Sequence, residues 1–200
     1  MRNTEDDGRD TRGSAEAREW AARQVALVGE NVARLRHSLG LSAVQLATRT
    51  AEHGYPITRG TIAKLEGGHR GGKLDMAEVQ VLAAALEVPP VELLFAGLPD
   101  ESTEVLPEVW VPAWEAMRWF TGEASGANNP VPTRTDFIEA VRQRVDLRYL
   151  VDEISIQVLA AGLARHESFE KNELERQLDL ARERLAAAEL KVAELRAGRA

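Results

Sequence analysis

The fold is indicated most strongly by residues 57–68, ITRGTIAKLEGG. Thr58 is a suitable N-cap and Gly67-Gly68 a suitable stop, so they bound one short helix. Ile62 and Leu65 lie together on one face of that helix. The other face carries small and cationic side chains, from Arg59, Gly60, Ala63 and Lys64. The stretch therefore predicts a helix that buries its apolar face and exposes a cationic one.

Four more short helices are predicted around this stretch, from apolar periodicity and from capping and stop signals. Apolar residues recur every three to five positions from Trp20 to Leu39, and Gly40 ends that helix. Ser42 caps the next helix, and Gly54-Tyr55-Pro56 ends it. The predicted bounds of the five helices are 14–39, 42–53, 58–67, 76–86 and 89–95. The sequence thus predicts a compact all-helical domain over residues 14–98, preceded by a disordered tail over residues 1–13.

Residues 32–95 resemble the lambda-repressor-like helix-turn-helix family, also called the Cro-type or XRE family. The motifs that carry the resemblance are Val32-x-x-Leu35-Arg36, Gly40-Leu41-Ser42-x-x-x-Leu46-Ala47, Ile57-Thr58-Arg59-x-Thr61-Ile62-x-Lys64-Leu65-Glu66-x-Gly68 and Leu82-Ala83-x-x-Leu86-x-Val88. Two features depart from the family: Ala43 replaces the usual Gln, and the stretch between Ala47 and Thr58 is longer. The resemblance implies a five-helix DNA-binding domain whose third helix enters the major groove.

The predicted contacts to double-stranded DNA follow from that helix and the loop after it. Arg59 is expected to contact guanine O6 and N7, with Lys64 as a second base or phosphate contact. Gly60 and Ala63 leave room for the helix backbone to approach the groove. The resemblance implies further contacts, to the bases or the phosphates, from Thr58, Thr61, His69, Arg70 and Lys73. It also implies a buried structural ion pair between Arg36 and Glu66.

The overall charge of −7 over 200 residues argues against a nucleic-acid partner, but the charge is unevenly distributed. Residues 59–73 hold four Lys or Arg side chains against Glu66 alone, so a basic patch survives. Most of the net negative charge comes from residues 99–133, where six acidic side chains stand against one arginine. Net charge therefore does not exclude DNA binding.

Enzyme and metal chemistry find no support in the sequence. The chain has no cysteine, which excludes disulfides, zinc fingers and thiol catalysis. His166-Glu167 begins a zinc-protease pattern, but Glu170 stands where its second histidine would be. We expect no enzyme activity, cofactor or metal site. Without an apolar leader or a run of ~18 apolar residues, we expect a soluble bacterial cytoplasmic protein, bound to the nucleoid when on DNA.

Residues 99–133 read as an acidic, Trp-rich connector. Pro112 is predicted to start a short helix carrying Trp114, followed by a flexible linker over residues 122–133. We expect Trp110, Trp114 and Trp119 to pack on the helical domain or on a partner copy, and a small-molecule pocket is the alternative.

Residues 134–200 form a predicted helical assembly region, with one long helix or two helices broken near residues 162–172. A three-heptad coiled-coil seam runs through Leu174, Leu178, Ala181, Leu185, Ala188, Val192 and Leu195. The same spacing occurs upstream at Leu147, Val151, Ile154, Val158 and Ala161. We expect the seam to make a homodimer, with an intramolecular hairpin of the two stretches as the alternative.

Together these patterns predict a sequence-specific DNA-binding transcriptional regulator, a dimeric repressor that reads the major groove with residues 58–67. The alternative is a protein-interaction adaptor or antitoxin-like module. Its C-terminal helices would bind another protein, and its DNA contact would be autoregulatory.

Overall fold

The structure, a computed structural model, describes residues 8–123, 134–163 and 168–199. Within these residues the fold is mainly α-helical, as the sequence predicts, and divides into two compact units between Met117 and Arg118. The first unit holds α1 (Gly8–Ser38), α2 (Ala43–Glu52), α3 (Arg59–Glu66), α4 (Met76–Ala85), α5 (Pro90–Leu94), β1 (Ser102–Leu106) and β2 (Val109–Pro112). Helix α6 (Ala113–Phe120) crosses the division, and the second unit holds α7 (Asp136–Leu163) and α8 (Ser168–Ala197).

One apolar core joins the five helices of the first unit. Helix α1 contributes Val25, Val28 and Val32 at helical spacing, and these side chains are buried. The residues that the other segments bring to this core are Leu46, Ile57, Ile62, Leu65, Val79, Leu82, Ala83, Ala85, Leu86 and Leu93. The apolar period of α1 matches its buried face from Val25 to Val32, whereas Leu39, the last residue of the predicted series, is 44% exposed.

Side-chain caps set where the short helices begin. Ser42 and Gln45 form a capping box on α2, and Thr58 caps α3 by accepting the Thr61 N–H at 3.1 Å. Asp75 and Glu78 form a second capping box on α4 that the sequence analysis did not predict. The predicted helix bounds shift by one or two residues at most ends, the usual fraying of helix termini.

The N-terminal boundary differs more. Helix α1 begins at Gly8, earlier than the predicted start at Ser14, so residues 8–13 of the predicted disordered tail are helical. Residues 1–7 of that tail lie outside the described residues. The apolar pattern that defined the predicted start begins only at Trp20, and it carries no information about the polar turns before it.

The turn between α2 and α3 spans residues 53–58, and Thr50 holds it closed. The Thr50 hydroxyl accepts the Ile57 N–H at 3.0 Å and donates to the Ala47 carbonyl at 2.8 Å. Gly54 takes a positive φ of 82°, which suits glycine at this turn. Residues 47–58 thus form the end of α2, which runs to Glu52, and a closed loop before α3.

The acidic connector contains a β-hairpin that the sequence analysis did not predict. Strands β1 and β2 pair antiparallel. Strand β2 ends at Pro112, and α6 begins one residue later, at Ala113. The hairpin is attached to α1 through Glu104, whose buried carboxylate accepts three hydrogen bonds from Arg23, each at 3.0 Å. This long-range pair and the cross-strand pairing hold the segment extended, whereas the helix predicted to start at Pro112 forms as α6, one residue later.

Two of the three connector tryptophans lie at the surface, Trp119 is half-buried, and packing of these rings on a partner copy stays a prediction. Trp110 is 60% exposed and Trp114 47% exposed, so neither ring is buried against the helices of the first unit. The small cluster beside the hairpin consists instead of Phe95, Val111 and Ala116. Residues 124–133 of the predicted flexible linker lie outside the described residues.

In the second unit, α7 and α8 are two separate helices that pack against each other. Ile154 of α7 is buried against Leu178 and Ala181 of α8, with Val151 and Val158 beside them. All seven predicted seam residues of α8 are buried or half-buried. The seam is therefore covered within one chain, which is the hairpin alternative rather than the predicted seam between two chains. The few residues between Leu163 and Ser168 favour this outcome, because short connections make consecutive helices antiparallel neighbours.

None of the described helices combines the length and the apolar character that crossing a bilayer requires.

The contact between α1 and α3 sets the position of the third helix. Arg36 donates to both carboxylate oxygens of Glu66, at 2.7 and 2.8 Å, and to the Leu41 carbonyl at 2.7 Å. The side chains are only 10% and 14% exposed. The hydrogen bond to Glu66 raises the pKa of Arg36, although burial acts against this rise. Gly29 lies under α3, where a Cβ would overlap the Leu65 carbonyl group.

We expect Glu66→Ala to lower the free energy of unfolding by about 3–5 kcal/mol, because it leaves the buried guanidinium of Arg36 without its carboxylate. Glu87→Ala is the matched control. It removes an exposed ion pair with Arg49 at 2.9 Å, and we expect a loss of about 0–1 kcal/mol. Urea unfolding measures both, and equal losses would contradict the structural role of the buried pair.

We expect Gly29→Ala to destabilise the first unit by about 1–3 kcal/mol, because the new methyl group forces α1 away from α3. Gly60→Ala, also in a helix, adds a Cβ whose nearest neighbour is the Thr58 hydroxyl at 3.8 Å. There we expect a gain of about 0.5–1 kcal/mol from the lower helix cost of alanine. Thermal unfolding of the two variants checks the difference, and a stable Gly29→Ala protein would show that the close approach is not required.

Candidate nucleic-acid interface

Helix α3 has one buried face and one exposed face. Ile62 and Leu65 are fully buried in the core of the first unit. The exposed positions of the helix are Arg59, Gly60, Ala63 and Lys64, and Thr61 is half-buried. The structure therefore presents the small and cationic residues together, as the sequence pattern predicts.

The two cations of α3 have no carboxylate partner among the described residues. Neither Arg59 nor Lys64 forms an ion pair there, and both side chains face solvent. Arg59 is the first residue of the helix, where the backbone N–H groups already carry partial positive charge. A cation costs roughly 0.3–1 kcal/mol in this position unless an anion lies nearby. This local disadvantage suits a site that meets a polyanion.

Thr58 and Thr61 have structural bonds at the start of the same helix. The Thr58 hydroxyl accepts the Thr61 N–H and lies 3.0 Å from the Thr61 hydroxyl. These bonds position the first turn, and with it Arg59. Thr58 caps the helix and is nevertheless exposed to solvent.

The loop after α3 separates the predicted phosphate contacts into two groups. His69 and Lys73 are exposed. Arg70 instead donates to both carboxylate oxygens of Glu78, at 2.8 Å each, in a pair that is mostly buried. Glu78 also accepts the Asp75 N–H as part of the α4 cap. Arg70 thus has a structural partner that fixes the loop on α4, which the local charge count could not reveal.

Several residues that support the site were missed by the sequence analysis. Thr50 closes the turn before α3, and the Asp75–Glu78 box holds the loop after it. Asp75 and Glu78 do stand at capping-box spacing before an apolar run, so that signal was present in the sequence. Nothing local marks Thr50, because its partner Ile57 is seven residues away. Helix α2 exposes Val44, Gln45 and Thr48.

The acidic and histidine side chains of the described segments form no group of three that could hold a metal ion. A cavity of about 640 Å³ in the first unit is lined by Glu30, Asn31, Arg34, Glu92 and Glu101 among others. That cavity is acidic overall and does not include α3. The exposed face of α3 therefore stands as the candidate site of the first unit.

Comparison of the chain with protein-family models, with curated proteins and with solved structures found no match.

Proposed function

We propose that the protein is a sequence-specific DNA-binding transcriptional regulator of the lambda-repressor-like type, acting as a dimeric repressor. In this proposal α3 enters the major groove and α2 crosses the phosphate backbone beside it. Repression would follow from occlusion, since a protein bound over a promoter blocks access to it.

The observation that carries the proposal is the exposed face of α3, where Arg59 and Lys64 stand without carboxylate partners beside Gly60 and Ala63. Small side chains let the helix backbone approach the floor of a groove about 12 Å wide. The cations at its two ends can then reach base edges and phosphates. An arginine at the tip of such a helix suits bidentate hydrogen bonding to guanine.

The packing of α3 supports the same function. A helix that reads base edges must be held rigidly, because small displacements lose the hydrogen-bond geometry on which discrimination depends. Two buried apolar side chains, the Arg36–Glu66 pair and the Thr58 cap provide that rigidity. His69 and Lys73 lie in the following loop and add positive charge for the phosphates.

The direct test is selection of bound duplexes from a random-sequence DNA pool by the full-length protein. The proposal expects a defined motif to be enriched, with binding that weakens steeply as the salt concentration rises. Binding without any enriched motif would contradict sequence-specific reading. Absence of duplex binding at low salt would favour the adaptor alternative.

We expect Arg59→Ala to reduce affinity for the selected duplex by about 1–3 kcal/mol and to relax base preference at one position. Arg182→Ala, on the exposed surface of α8, removes the same charge far along the chain and serves as the control. Competition binding with point-substituted duplexes measures the preference. Unchanged discrimination in Arg59→Ala would show that α3 does not read the bases.

We expect Lys73→Ala to weaken binding to all duplexes alike and to lower the salt slope by about one, because it removes one phosphate contact. Binding measured over a salt series checks this. Arg70→Ala should behave differently and lower the melting temperature, since its guanidinium is committed to Glu78. A selective loss for one DNA sequence in Lys73→Ala would contradict its assignment to the backbone.

A further inference from the structure

Helix α7 carries a second row of apolar side chains, separate from the row that packs on α8. Val145, Tyr149, Ile156, Leu159 and Leu163 are all exposed, from 37% for Val145 to 88% for Leu163. With Asp152 among them, the row alternates steps of four and three residues. This is the spacing of a coiled-coil seam. One face of α7 is therefore a seam without a partner in the described chain.

The two seams of α7 use different residues. Val151, Ile154 and Val158 pack on α8, whereas the outer row lies at other positions of the heptad. The next position of this spacing before Val145 is Arg142. Its side chain donates to the Thr121 carbonyl at 2.5 Å and to the Gly122 carbonyl at 3.2 Å. The uncovered part therefore runs over residues 145–163, roughly 27 Å of helix.

We propose that this outer row, residues 145–163 of α7, binds the same row of a second copy of the chain, with the two α7 helices parallel and in register. The dimer interface of the protein would then be the outer face of α7, not the seam of α8 that the sequence suggested. The inference specifies the interface of the dimer that the proposed function includes, and a monomeric protein would contradict both; its observations lie in the second unit alone.

Charge complementarity selects the second copy and the parallel orientation. In a parallel pair of helices, the residue just before a seam position lies opposite a residue of the partner helix. That partner residue is five positions later in the sequence. Arg148 precedes Tyr149 and Glu153 follows Asp152, so each Arg148 would face Glu153 on the partner helix. Neither side chain forms an ion pair within the described part of the chain. The dimer would contain this pair twice.

An antiparallel arrangement is disfavoured by the same charges. In an antiparallel pair, each side of the seam faces the same side of the partner helix. One side of the outer row carries Asp146 and Glu153, so acidic residues would face each other. Like charges brought together across an interface are repulsive. Asp152 is the polar member of the row, and a polar residue at a seam position lowers affinity while fixing the register.

A parallel dimer would bring the N-terminal ends of the two α7 helices to the same end of the assembly. The chain enters α7 there from the first unit, so two copies of that unit would be tethered close together. Once one copy of the first unit has bound, tethering raises the effective concentration of the other copy. If the proposed function also holds, such a dimer suits a site with two half-sites.

The test measures self-association of the full-length protein by sedimentation equilibrium over the micromolar range. We expect a reversible dimer for the wild type. Arg148→Glu and Glu153→Arg should each raise the dissociation constant by at least about tenfold, because each brings like charges together twice. The combined variant should return to within about threefold of the wild type. Residues five apart are not neighbours on one helix, so this recovery indicates pairing between chains.

A matched pair of apolar substitutions tests the face itself. Ile156→Ser lies in the outer row at 67% exposure, and Leu190→Ser lies on α8 at 62% exposure, outside both seams. We expect Ile156→Ser to weaken the dimer at least about tenfold and Leu190→Ser to leave it unchanged, with equal helical content by circular dichroism in both.

Three results would overturn the proposal: a monomeric wild type throughout that range, no recovery in the combined charge variant, or equal weakening by Ile156→Ser and Leu190→Ser. A monomeric protein would mean that the outer row serves a different partner or none. None of these results bears on whether α3 reads DNA. That question is tested by the effect of Arg59→Ala on base preference, which can be measured on a duplex with one half-site.

Discussion

The bidentate ion pair between Arg36 and Glu66 holds α3 on α1, and the candidate interface depends on that placement. The same guanidinium also donates to the Leu41 carbonyl, so one side chain joins α1, α3 and the entry to α2. Gly29 sets how closely the two helices approach. A hydrogen-bonded pair has directional geometry, which apolar packing lacks, so it determines the rotation of α3 as well as its burial. That rotation decides which residues face outward.

Helix α3 combines features that weaken a helix with features that restore it. Gly60 lowers helix propensity, and Arg59 stands at the end of the helix where a cation is least favourable. The Thr58 cap and the buried Ile62 and Leu65 offset these costs. Local stability is therefore lowered at the exposed face and supplied from the core. Such a division is common where a surface is shaped for a ligand.

The second unit shows how one heptad pattern can serve two contacts. The inner seam of α7 packs on α8 of the same chain, where a short connection keeps the two helices at a high effective concentration. The α8 seam therefore packs on α7 of its own chain and not on the α8 seam of another chain. The outer row of α7 is left exposed by that choice, and contiguous exposed apolar surface is a mark of interaction sites. In the proposed dimer, assembly through this row adds a helix pair to a hairpin that is already formed.

The helical elements were determined by local sequence, because apolar periodicity, caps and glycine stops act over a few residues. Helices α2 to α5, the exposed face of α3 and the break between α7 and α8 could all be predicted in this way. The β-hairpin could not, since it depends on cross-strand pairing and on Glu104 reaching Arg23, 81 positions away in the chain. The partner of Arg70 and the partner of the α8 seam were likewise decided by tertiary structure. Charge and heptad spacing state what a residue can pair with, and only packing selects among partners that the sequence makes equally suitable.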